Sequence, residues 1–219
     1  VLLGAFNRVY VGRNVKDYDT KHIFPSIPLP NWTATWDGLG KIKSLKKTFR
    51  AITIRHAYRS TYSINSFNNN ILFNQDGKTQ DQRMPVQVGQ GTTPNFIPYY
   101  NINSVTLSER FDPLVKFDLM FNKPGWSANV EMKRDKTTNL NLTAFQIIET
   151  KGQEYVVGLG YRIAKLKLGK LTIQGKPLES PLTVRVDLSY RKNINVIRLV
   201  NDGSSQPTGG ANIFTLRSS

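Results

Sequence analysis

From Ala51 to Ile64 the chain alternates without interruption. Ile52, Ile54, His56, Tyr58, Ser60, Tyr62 and Ile64 occupy one parity. Ala51, Thr53, Arg55, Ala57, Arg59, Thr61 and Ser63 occupy the other. Successive side chains of an extended chain point to opposite sides. A strand here has one apolar and aromatic face and one face of arginines and hydroxyls. The run also exceeds the usual strand of about 5–6 residues.

The pattern recurs. Val115, Phe117, Leu119 and Phe121 alternate with Lys116, Asp118 and Met120; Trp126, Ala128, Val130 and Met132 alternate with Ser127, Asn129, Glu131 and Lys133. Between them Asn122-Lys123-Pro124-Gly125 marks a tight turn. A polar turn is expected near Asp135-Lys136, before Leu140, and another break at Lys151-Gly152. Tyr155, Val157, Leu159, Tyr161 and Ile163 then form one parity, as do Leu182, Val184, Val186, Leu188 and Tyr190. The expected architecture is all-β, an antiparallel meander of about eight to ten strands. A sheet with one wet face produces this alternation, and so does a lipid-facing barrel wall with a wet lumen. Strand length, tight turns and the aromatics Trp36, Trp126, Tyr161 and Tyr190 near segment ends fit the wall.

Three stretches break the pattern and read as long loops: about 13–30, 65–98 and 201–210. Between Gly38 and Arg50, Ile42, Leu45 and Phe49 fall at i, i+3 and i+7 among five cations, which predicts a short amphipathic helix. It suits a membrane surface or a barrel mouth, or equally a solvated basic connector.

Composition removes several function classes. The chain has no cysteine and two histidines, so disulfides, thiolate metal sites and multi-histidine centres are excluded. No stretch is long and apolar enough for a membrane-spanning helix. His56 lies on the apolar parity between Ile54 and Tyr58, a packing position rather than that of a catalytic base. Gly158-Leu159-Gly160 lacks the third glycine of a dinucleotide fingerprint. No catalytic residue, metal or cofactor is assigned. Thirty Lys and Arg against 15 Asp and Glu give a formal charge of +15, which raises nucleic acid as a partner. The alternation argues against it, because Arg55 and Arg59 face away from Tyr58 and Tyr62 and cannot share a stacking platform.

Several blocks carry a family likeness. Leu29-Pro30-Asn31-Trp32-Thr33-Ala34-Thr35-Trp36-Asp37-Gly38-Leu39, Lys46-Lys47 with Phe49, and His56-Ala57-Tyr58-Arg59-Ser60-Thr61-Tyr62 form the first group. Leu107-Ser108-Glu109-Arg110-Phe111-Asp112-Pro113-Leu114, Phe145-Gln146 with Glu149, Glu154 to Ile163, and Gln206-Pro207-Thr208-Gly209-Gly210 form the second. Together they resemble the C-terminal part of the SprA/Sov family, the giant outer-membrane translocon of the type 9 secretion system in Bacteroidetes. The resemblance spans most of the chain apart from about 68–98. It implies that residues 1–219 are a fragment of one very large transmembrane β-barrel. It implies a protein-conducting channel that exports folded cargo across the outer membrane. The implied partners are the rest of the barrel chain, an outer-membrane shuttle protein, periplasmic plug or chaperone proteins, secreted cargo and outer-membrane lipid. On that reading Ile52, Ile54, Tyr58, Val157, Leu159, Val184, Val186 and Leu188 face lipid. Arg55, Arg59, Arg162, Arg185 and Arg191 face the lumen.

Overall fold

The computed structural model describes residues 2–10, 30–70, 98–173 and 176–219, with the backbone alone over 165–180. Among these residues seven strands form one antiparallel meander in chain order: β1 (Trp32–Trp36), β2 (Phe49–Asn69), β3 (Tyr100–Phe121), β4 (Trp126–Asn141), β5 (Gln146–Ile173), β6 (Lys176–Leu199) and β7 (Ser205–Ser218). The expected antiparallel meander is present. It does not close on itself, because β1 and β7 are its two edges.

The described strands are longer than the alternation suggested. Asp135-Lys136 lies inside β4, and Lys151-Gly152 lies inside β5. Polar residues there are not turn signals. Asp135 is held by Arg191, and Lys136 and Lys151 flank Glu149, so both strands run on through charged surroundings. The actual turn between β4 and β5 is at 142–145, where the Asn141 side chain accepts from the amides of Thr143 and Ala144. The turn at 122–125 stands where expected, with Gly125 at φ +90°.

The loop assignments need correction. β2 continues to Asn69, and β7 starts at Ser205, so Gln206 to Gly210 are strand rather than turn. Only 200–204 connects β6 to β7, with Asp202 accepting from the Ser204 amide at 2.8 Å. The core of the two other expected loops, 13–29 and 71–97, lies outside the described residues.

The helix expected over 38–50 is also shorter. A 3-10 turn (Gly38–Lys41) leads into one turn of helix, α2 (Lys43–Lys46), and Phe49 already belongs to β2. The Asn122 side chain donates to the carbonyls of Lys46 and Lys47, tying this connection to the β3–β4 turn.

Helix α1 (Leu2–Tyr10) has no counterpart in the alternation reading. Leu3, Phe6 and Tyr10 fall on one helical stripe. Leu3 and Phe6 are buried on Val105, Leu107 and Leu140, with Tyr62, Ile64 and Ile147 alongside. Each buried side chain contributes about 1.5–3 kcal/mol. That contribution holds a helix too short to persist alone in water.

Candidate pore-lining face

Directly paired residues of an antiparallel sheet share a face, so the register sorts every side chain. One face carries Phe49–Phe121–Trp126–Tyr161–Val184 as a first row. Ile52–Leu119–Ala128–Leu159–Val186 follows, then Ile54–Phe117–Val130–Val157–Leu188–Leu216, then Val115–Met132–Tyr155–Tyr190–Phe214. Aliphatic residues dominate the middle, with Phe117 among them. Aromatic residues mark both margins.

The band drifts across the sheet. Its upper margin is Trp32–Tyr58–Phe111 on β1 to β3, one row further out than Tyr155–Tyr190–Phe214 on β5 to β7. Its lower margin drops by one row in the same direction, to Ile163–Leu182 on β5 and β6. Strands tilted against a flat slab are cut at such shifting positions. Trp36 pairs with Ile54 and sits inside the band rather than at a margin.

Of the eight residues expected on the lipid side, all share this face, and six of them stand open or half open. Ile52 and Tyr58 are buried by the chain itself. The Gly38–Lys41 turn lies against β2 at Ile52. The Tyr58 ring sits between Trp32 and Phe111, and its hydroxyl donates to Glu109 at 3.0 Å. His56 packs beside Trp32 and Phe111, with Nδ1 donating to the Leu114 carbonyl at 2.6 Å where β2 and β3 both slip register.

The opposite face carries all five expected arginines, and its charges are organised. Arg55 pairs with Asp118 at 3.5 Å, and Lys116 lies 3.7 Å from both Asp118 and Glu131. Lys133 continues the ladder to Glu131 at 3.8 Å and to Asp112 at 3.7 Å. Arg185 grips Asp187 at 2.7 Å and reaches Asn129 at 3.1 Å. Arg191 holds Asp135 at 2.8 Å, Glu154 at 3.4 Å and Asn193 at 3.0 Å. Arg59 and Arg162 are exposed and have no ion pair among the described residues. Arg59 stands opposite Arg110.

Three glycines make this network possible. Gly152, Gly158 and Gly160 on β5 all point to the charged face. A Cβ at Gly158 would run into Asp187 and Asn129; at Gly152 it would meet the Asp135 carboxylate and Arg191; at Gly160 it would meet Ser127. Side chains of β4 and β6 thus meet over the bare backbone of β5. In the sequence Gly152 reads as a strand break, and Gly158 and Gly160 as an incomplete dinucleotide motif on the polar parity, where glycine lets a strand bend or approach another chain. Their function depends on pairing partners on β4 and β6 that are distant in the chain.

The aliphatic side chains stand as open as the arginines of the other face, where Arg55 and Arg185 are 54% and 47% exposed. Leu159 is 54% exposed and Leu188 52%, while the side chains of Glu131 and Glu154 are 13% and 22% exposed. The carboxylates are drawn in among their cations on one face, and aliphatic groups stand open on the other.

No protein-family model and no curated protein matches this chain.

None of the described helices is long and apolar enough to cross a membrane, which says nothing of crossing by strands. What the arrangement offers chemically is a hydrated, internally neutralised ionic surface backed by a hydrocarbon-compatible one. Among the described residues its arginines are tied down in pairs rather than offered singly, except Arg59, Arg162 and Arg217.

Proposed function

We propose that this chain forms part of the wall of a large outer-membrane β-barrel through which folded proteins are exported. One observation carries the membrane part: consecutive aliphatic rows, bounded by two aromatic margins, stand exposed on one face of the sheet. Trp126 to Arg134, where polarity returns on β4, is eight residues. That is about 27 Å along a strand and about 21 Å in height at a tilt of about 40°, against about 25 Å for known barrel bands.

The protein-conducting part is supported by the resemblance to the SprA/Sov family together with the ionic face. A wall lined by neutralised ion pairs stays wet yet offers a passing protein few unpaired charges to stick to. Passage is then passive at this surface, with no catalytic step. Shuttle, plug and cargo partners follow from the same resemblance. The open edges at β1 and β7 favour a larger barrel over a small porin-like one completed by these strands.

The test uses the intrinsic fluorophores Trp32, Trp36 and Trp126, all on the aliphatic face. In vesicles of brominated phosphatidylcholine their emission is expected to be strongly quenched, and the full-length barrel is expected to conduct in planar bilayers. Unquenched tryptophans in a protein that stays in the aqueous phase without detergent would overturn the reading in favour of a soluble basic β-domain.

A further inference from the structure

Just beyond the upper aromatic margin, the aliphatic face turns basic. Arg134, Gln153, Lys192 and Asn212 form one row across β4 to β7. Lys136 and Lys151 form the next, Glu149 lies behind them, and Arg198 stands further out on β6. Glu149 is 2% exposed and gathers three cations: Lys151, Lys136 at 4.0 Å and Arg198 at 3.4 Å. Lys136 is also stacked over the Tyr10 ring of α1 at 5.3 Å. One carboxylate therefore positions three cations and neutralises one of them. Arg134 and Lys192, both exposed, have no ion pair among the described residues. The other nearby anion, Glu109, stands opposite Lys136 and accepts from Tyr58.

We infer that this belt binds the phosphate groups of anionic lipids packed against the barrel. The inference rests on the membrane reading and goes beyond it. Two features select a lipid. The belt shares the face and follows directly on the aliphatic rows, at the height where headgroups meet water. And its five cations, Arg134, Lys136, Lys151, Lys192 and Arg198, face two anions, Glu109 and Glu149, a larger relative excess than on the opposite face. Arg134 and Lys192 flank Gln153 about 10 Å apart across two strand spacings, and all three supply donors, a spacing that admits a phosphate between them. Arginine is suited to hold two of its oxygens at once.

The experiment uses the full-length barrel in nanodiscs of phosphatidylcholine carrying lipid A or phosphatidylglycerol, with bound lipid counted by native mass spectrometry. Wild type is expected to retain anionic lipid over phosphatidylcholine. The triple variant R134Q/K151Q/K192Q is expected to lose about a hundredfold in affinity, while its bromolipid quenching stays intact. Preference for lipid A over phosphatidylglycerol identifies a phosphate monoester; equal retention identifies any lipid phosphate. Equal lipid retention by wild type and variant overturns the inference. So does displacement of the lipid by millimolar inorganic phosphate, or tighter capture of a polyglutamate peptide than of either lipid, which would make the belt a protein-docking site. Loss of quenching in wild type would instead sink the membrane reading itself.

Discussion

Arg191 crosses β5 above Gly152 to hold Asp135 at 2.8 Å. The two residues belong to strands that never pair with each other, and the missing Cβ between them leaves the path open. Arg185 and Asn129 repeat the arrangement over Gly158.

Filling that gap is therefore costly. Gly158→Val is expected to destabilise the folded protein by about 1–3 kcal/mol through overpacking. Gly209→Val, where a Cβ meets nothing within 4 Å, is expected to change little. Urea unfolding in detergent micelles, followed by electrophoretic mobility, compares the two; equal midpoints would remove the glycine argument.

Val157 lies in the middle row of the aliphatic band. Val157→Arg is expected to cost about 2–4 kcal/mol of membrane folding. Arg59→Ser on the opposite face is expected to be near neutral, since no ion pair is lost. Arg185→Ser is expected to fall between them, because it frees Asp187 in a crowded surrounding. Folding yields into vesicles that rank Arg59→Ser below Val157→Arg would reverse the face assignment.

Acid should loosen the outer end of the sheet. Burial pushes the Glu149 carboxyl up, but the Lys151 hydrogen bond and the charges of Lys136, Lys151 and Arg198 outweigh it and hold the carboxyl below its ordinary 4.5. Glu149 lies outside the band, six residues beyond Tyr155. A depressed folded value means the stabilisation is present above the unfolded value and disappears as pH falls through the folded one. Glu149→Gln is expected to lower stability at neutral pH and to flatten the acid limb below about pH 4.5. Parallel acid-unfolding curves for both proteins would contradict this.

Phe6 is 3% exposed on Val105, Leu107 and Leu140. Phe6→Ala is expected to cost about 3–5 kcal/mol of α1 docking. Hydrogen exchange should rise at α1 and at the strand ends beneath it, while the amides of 128–132 stay protected. Uniform loss of protection would mean that α1 is not a separable unit.

The sequence by itself determined which side chains share a face. Parity is a property of the extended backbone and needs no partner, so Val115 to Phe121, Trp126 to Met132 and Tyr155 to Ile163 were legible at once, as was the Asn122–Gly125 turn. Only the tertiary structure decided where strands end, what Gly152 and Gly158 permit, why Ile52 and Tyr58 are covered, and that α1 lies on Leu107. Each of these depends on register between segments distant in the chain. Charge at Asp135-Lys136 looked like a turn because its partners, Arg191 and Glu149, become neighbours only once β4, β5 and β6 are paired.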